Sequence, residues 1–110
     1  MLEPIQGENG VIIPDKGYLA EISKLCKQHN VLLICDEVQT GFGRTGKFMC
    51  YEWDNIKPDI VTLGKAMSGG MMAVSGVVCN DDIMMTIKPG DHGSTYGGNP
   101  LAMAVSKEAI

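Results

Sequence analysis

The chain has 110 residues, of which 45% are hydrophobic and 20% charged, and a formal net charge of −4. That length suits one domain with a modest core and is too short for two. The acidic balance leaves no basic footprint for nucleic acid or an anionic membrane, and no apolar stretch approaches spanning length.

The four cysteines, Cys26, Cys35, Cys50 and Cys79, fall in helix or strand patterns without a C-x-x-C pair. They read as reduced, buried small hydrophobes, not as a disulfide framework or a metal site.

In chain order, residues 2–5 read as the end of a strand, followed by a glycine-rich polar loop from Gln6 to Pro14. Asp15 is placed to cap a helix over Gly17–Asn30, whose stripe is Tyr18, Leu19, Ile22, Leu25 and Cys26. Asn30 closes it. The run Val31–Cys35 then predicts a strand buried on both faces, as in a parallel sheet. Strand, helix and strand make a βαβ unit. Asp36 and Glu37 follow at the strand's carboxyl end, the edge where open α/β sheets bind ligands.

The loop Thr40–Gly46 leads to a short helix around Lys47–Trp53, and Pro58 precedes a strand over Asp59–Leu63 that ends in Gly64-Lys65. About ten residues separate Leu63 from the next apolar run, Val74–Cys79, fewer than a parallel crossover needs, which predicts an antiparallel strand. Asn80 to Asp82 cap a short helix through Ile87. Met71, Met72, Met84 and Met85 read as core filler. The segment Pro89–Gly98 is irregular, and Asn99 with Pro100 opens the last helix. Both ends of the chain fall inside element patterns, which predicts an internal slice of a larger domain.

Two readings compete for the strand-end residues. Asp36 is either a solvated acid or a part-buried carboxylate in need of a partner. Lys65 is either a surface lysine or an amine nucleophile. Together, at one edge of a parallel pair, they match the needs of pyridoxal phosphate (PLP) chemistry: a lysine for the Schiff base and an acid for the pyridinium nitrogen. Gly64-Lys65-Ala66-Met67-Ser68 is not a P-loop, since no glycine stands five residues before Gly64 and no Ser or Thr directly follows the lysine. The loop Asp91–Gly98, with hydroxyls before a helix N-terminus, is either a phosphate site or a flexible turn. His92 near Ser94 makes no triad, because nothing places an acid behind it.

Four ordered stretches carry a resemblance over nearly the whole chain. They are Glu3-Pro4-Ile5-Gln6-Gly7-Glu8; Asp36-Glu37-Val38-Gln39-Thr40-Gly41 with Arg44-Thr45-Gly46; Pro58-Asp59 through Gly64-Lys65-Ala66; and Gly93-Ser94-Thr95-Tyr96-Gly97-Gly98-Asn99-Pro100. They resemble the class III aminotransferases, PLP enzymes of fold type I. The resemblance implies an α/β fold in which residues 1–110 are the central part of the PLP-binding large domain: a mostly parallel sheet with one antiparallel strand and flanking helices.

The stretch Ile87–Tyr96 most resembles the branch acting on ornithine, which passes the δ-amino group to 2-oxoglutarate and yields glutamate 5-semialdehyde and glutamate. Branches acting on acetylornithine or 4-aminobutyrate, and a truncated product without catalysis, stand as alternatives. By this resemblance Lys65 holds pyridoxal 5'-phosphate and shuttles the proton, Asp36 pairs with the ring nitrogen, Val38 packs on the ring and Gln39 bonds its phenolic oxygen. Thr95, with Ser94 close by, reaches the phosphate of the neighbouring subunit's cofactor, which implies a homodimer or larger. Glu8 resembles the glutamate that engages an arginine when no α-carboxylate is bound. The compartment implied is the mitochondrial matrix or the cytoplasm.

Met72-Ala73 stands where that branch usually has an aromatic residue and proline, and Asn9 replaces a usual alanine. The upstream phosphate loop, the ring-stacking aromatic and the arginine for the α-carboxylate are not among these residues. The 110 residues alone are therefore expected to fold weakly and to be inactive.

Overall fold

A computed structural model describes residues 1–110. Its elements are α1 (Tyr18–Gln28), β1 (Ile34–Asp36), β2 (Ile60–Leu63), β3 (Gly76–Cys79), α2 (Asp81–Met84) and α3 (Pro100–Ala109), with 3₁₀ turns at Cys50–Asp54 and Lys65–Ser68.

The sheet is mixed, in the order β1-β2-β3. β1 and β2 run parallel with Asp36 opposite Thr62, and β3 is antiparallel to β2 with Gly76 opposite Leu63. The short connection to β3 therefore has the consequence expected of it. Leu2 lies beside β1 in parallel sense: its N–H donates to the Ile34 carbonyl at 3.0 Å, and Asp36 N–H donates to the Leu2 carbonyl at 2.8 Å. Leu2, α1 and β1 thus form a minimal βαβ unit.

β1 starts later than the apolar run suggests. Val31 and Leu32 are 56% and 52% exposed, whereas Leu33 and Cys35 are buried. Val31 N–H still reaches back to the Cys26 carbonyl, and Leu33 N–H donates to Asp59 Oδ2 at 2.7 Å. Strand geometry begins only beyond that anchor, and from there burial alternates with period two. The expectation of a run buried on both faces is corrected accordingly.

In α1 the inward stripe is Leu19, Ile22, Ser23 and Cys26, while Tyr18 and Leu25 face outward. Asp15 does not cap the helix with its side chain. Gly17 precedes it in a left-handed conformation (φ 86°), and the side-chain acceptor for Leu19 N–H is Oδ2 of Asp54, at 3.1 Å. Asp54→Ala in the full-length protein is therefore expected to cost about 1 kcal/mol of stability. A denaturant midpoint that falls at constant slope would register it, and Asp15→Ala should leave the midpoint nearly unmoved.

The helix expected over Lys47–Trp53 is a 3₁₀ turn beginning at Cys50, its entry held by Glu52 Oε1 accepting Met49 N–H at 2.8 Å. α2 ends at Met84, short of Ile87. The last helix opens as expected, with Asn99 Oδ1 accepting Ala102 N–H at 2.9 Å.

The core lies on one face of the sheet, where Met49, Val61 and Leu63 pack with Phe42, Tyr51 and Met67. Phe42 and Phe48 meet edge to face, with ring centres 5.6 Å apart. Met71 and Met85 are 79% and 66% exposed, so they are not core filler. Met49 and Met67 occupy that role. Cys35 and Cys50 are buried, Cys26 and Cys79 half-buried, and all four are free thiols.

Candidate active site

Because β1 and β2 are parallel, Asp36 and the Gly64-Lys65 step emerge at the same edge of the sheet. Alternation along the chain then separates the two neighbouring carboxylates. Asp36 shares a face with Thr62, whose hydroxyl donates to Asp36 Oδ1 at 3.0 Å; Val38 N–H donates to the same oxygen at 3.0 Å. Both of these bonds use Oδ1 and leave Oδ2 able to accept a further donor.

Glu37 turns the other way and is fully buried. Its carboxylate accepts the Thr40 hydroxyl and, at 2.9 Å, Tyr51 N–H. The sequence placed both acids at the ligand edge; only Asp36 is there. Beneath the strand, burial, aided by the charge of Glu37, pushes the Cys35 thiol up to about 12. Burial likewise raises Cys50 and the Tyr51 phenol. These groups stay neutral in the fold.

Lys65 opens the second 3₁₀ turn at φ 45°, a left-handed conformation that costs a non-glycine residue about 1–3 kcal/mol and that Asn30, Phe42 and Asn55 also adopt. Its side chain is half exposed, and Nζ lies 3.8 Å from Glu8 Oε1. The same Glu8 oxygen accepts Gln39 Nε2–H at 3.0 Å. Three segments far apart in sequence thus bring Glu8, Gln39 and Lys65 together. A pair this exposed adds little stability; what it records is proximity. Gly7 makes room for it, since a Cβ there would lie 2.7 Å from the Gln39 amide atoms.

Lys65 stands between two clefts. One, of about 550 Å³, is lined by Met72, Ser94, Gly97, Gly98 and Asn99 among others. The second, of about 580 Å³, is lined by Val38, Gln39, Arg44, Gly69 and Gly70. Ser94 therefore shares a cleft with Lys65, and its Oγ accepts Gly97 N–H at 3.0 Å. Thr95 is exposed and does not line that cleft. Two contributors were not singled out from sequence. Thr62 is the only polar residue inside an otherwise apolar strand, a signal that was available. Arg44 stands in one of the loop motifs but was given no role there; it follows the left-handed backbone at Phe42 and Gly43 and lines a cleft with Lys65.

A parallel strand pair presenting an acid, a lysine and glycine-rich loops at its carboxyl edge defines an α/β ligand-binding domain, and the model for "Aminotransferase class-III" matches residues 1–110. The chain belongs to that family. It is 63% identical over all 110 residues to the ornithine aminotransferase of Emericella nidulans, covering 24% of that protein. Among solved structures, the ornithine aminotransferase of Toxoplasma gondii, described with PLP partially occupying its active site, superposes with a TM-score of 0.96 at 53% identity. That match covers 98% of this chain and 25% of the other. An acetylornithine aminotransferase from Elizabethkingia anophelis gives 0.94 at 60% identity, over 97% of this chain and 28% of the other. The chain spans about a quarter of the length of the curated relatives it matches, and the names of some relatives, though not all, place them in mitochondria.

Proposed function

We propose that residues 1–110 are the central part of the large domain of a PLP-dependent aminotransferase that moves the δ-amino group of ornithine to 2-oxoglutarate. The convergence of Lys65, Glu8 and Gln39 at the sheet edge that also carries Asp36 is the observation behind this reading.

The residues fit pyridoxal 5'-phosphate. An accessible amine borders both clefts, a carboxylate oxygen of Asp36 is left to accept a ring N–H, and hydroxyl and glycine backbone groups line the space next to Lys65. When bound, the cofactor supplies the electron sink for the carbon that loses its proton. The chain's own residues do the rest. Lys65 Nζ anchors the cofactor and carries the proton between donor and acceptor carbons. Asp36 holds the ring nitrogen's proton, and Val38 supports the ring beside Gly64. Gln39 donates to the phenolic oxygen. Thr95, with Ser94 close by, serves the phosphate of the neighbouring subunit's cofactor, which makes the active assembly a homodimer or larger. Glu8, next to Lys65, helps select which amino group reacts. The protein works in the mitochondrial matrix or the cytoplasm, and residues 1–110 by themselves carry no activity.

An acetylornithine specificity is the second reading, supported by the 60% identity to the Elizabethkingia anophelis acetylornithine aminotransferase, with 4-aminobutyrate beside it; Met72-Ala73 lines the Lys65 cleft, where substrate fit would be set. The test is a half-reaction of the full-length, PLP-loaded protein with each amine in turn, followed by the cofactor's absorbance. Ornithine should react with the highest kcat/KM. A higher value for another amine transfers the function to that branch, and no reaction with any of them removes the reading.

Gly7→Ala tests the placement of Gln39 in the same protein. The new methyl must displace the amide, and a misplacement of this kind is expected to lower kcat by about 10–100-fold with little change in melting temperature. An unaltered kcat would take Gln39 out of the site.

A further inference from the structure

Glu37 is the largest side chain in the molecule with essentially no exposed surface, and the reading above gives it no task. A buried carboxylate is costly unless its oxygens are satisfied. Here each oxygen has its own donor: Oε2 the Thr40 hydroxyl, Oε1 the Tyr51 N–H. The first bond closes the turn carrying Val38 and Gln39, which Gly41 N–H also closes onto the Glu37 carbonyl at 2.9 Å. The second bond fastens that turn to the Cys50–Asp54 segment beneath it. Glu37 N–H donates to the Thr62 carbonyl at 3.0 Å, so the same residue is pinned to β2 as well. Asp36 precedes it on the other face of the strand, beside Thr62, and Val38 and Gln39 follow it and line a cleft with Lys65.

We propose, resting on the PLP reading, that Glu37 is a positioning residue: its buried carboxylate clamps Thr40 and Tyr51 from behind the strand end, and so presents Val38 and Gln39 to the cleft at Lys65 and steadies the strand end that carries Asp36, without touching the cofactor. The clamp acts through geometry. Glutamine can replace it only in one orientation, with its oxygen on Tyr51 N–H and its amide donating to the Thr40 hydroxyl. Valine at position 40 keeps the shape and strands one carboxylate oxygen.

The experiment uses the full-length protein with Thr40→Val, Thr40→Ser, Glu37→Gln and a control, Leu19→Ala, which destabilises the fold from the buried side of α1. Two quantities are read: PLP affinity by fluorescence titration, and amide exchange of residues 38–41 and 51 without cofactor. Thr40→Val is expected to weaken PLP binding by about tenfold or more and to speed exchange in the turn, as a stranded buried acceptor should. Thr40→Ser should restore both. Leu19→Ala should lower the melting temperature and leave both near wild type. Equal effects in the control, or wild-type affinity and exchange in Thr40→Val, overturn the proposal. If Glu37→Gln does not fold, the Thr40 pair decides alone. A wild-type protein that binds no PLP refutes the functional reading instead, and the exchange data still decide the clamp.

Discussion

Replacing Lys65 by alanine in the full-length protein is expected to abolish measurable turnover while leaving the fold intact. The side chain is half exposed and its ion pair with Glu8 is exposed, so the change should alter stability by less than about 0.5 kcal/mol. On the proposed reading, activity depends on it twice, as the anchor of the cofactor and as the base that moves the proton. The second role alone is worth about 10²–10⁴-fold in rate. Borohydride reduction of the wild-type protein with PLP, followed by peptide mapping, should place a phosphopyridoxyl group on Lys65. The obvious competitors are otherwise engaged. Lys47 Nζ sits 5.4 Å from the centre of the Trp53 ring, and Lys88 Nζ donates to the Met85 carbonyl at 2.8 Å. Neither lines a cleft with Lys65. A label on Lys47 or Lys88 would sink the assignment.

Asp36→Asn should separate charge from geometry. Asparagine keeps an oxygen at the position where Asp36 accepts the Thr62 hydroxyl and Val38 N–H, so the strand end retains its two bonds. What disappears is the negative charge that, on the proposed reading, keeps the ring nitrogen protonated. Turnover is expected to fall by about 10²–10³-fold, the scale on which single preorganised electrostatic groups act, while PLP still attaches to Lys65. Steady-state kinetics and an absorbance scan of the variant check both halves. Turnover near wild type would remove Asp36 from the mechanism, and loss of the attached cofactor would reassign it to binding.

The elements that were legible in the sequence are those whose cause is local. Asn99-Pro100 opens α3 because a side-chain acceptor and a fixed φ act within one turn. β3 is antiparallel because the chain between Leu63 and Gly76 is too short to cross over. Asp36 and Lys65 stood out because each comes at the end of an apolar run, and parallel pairing of the two strands sends both to one edge. The four motifs that resemble class III aminotransferases lie on those same segments, and the family match over all 110 residues agrees with them.

Tertiary structure decided everything that depends on phase or on a distant partner. Composition cannot tell that Val31 and Leu32 are exposed while Leu33 is buried, because the strand's period starts only where Asp59 anchors it. Nor does the pair Asp36-Glu37 announce which acid stays half-buried and which is sealed in the core. Pairing with β2 sets that alternation, putting Asp36 beside Thr62 and Glu37 under Tyr51. The cap of α1 comes from Asp54, thirty-five residues away, and the meeting of Glu8, Gln39 and Lys65 joins three segments with no shared local pattern. A local rule sees a few residues on either side of a position. These contacts exist only once the sheet has brought remote backbone within hydrogen-bonding distance.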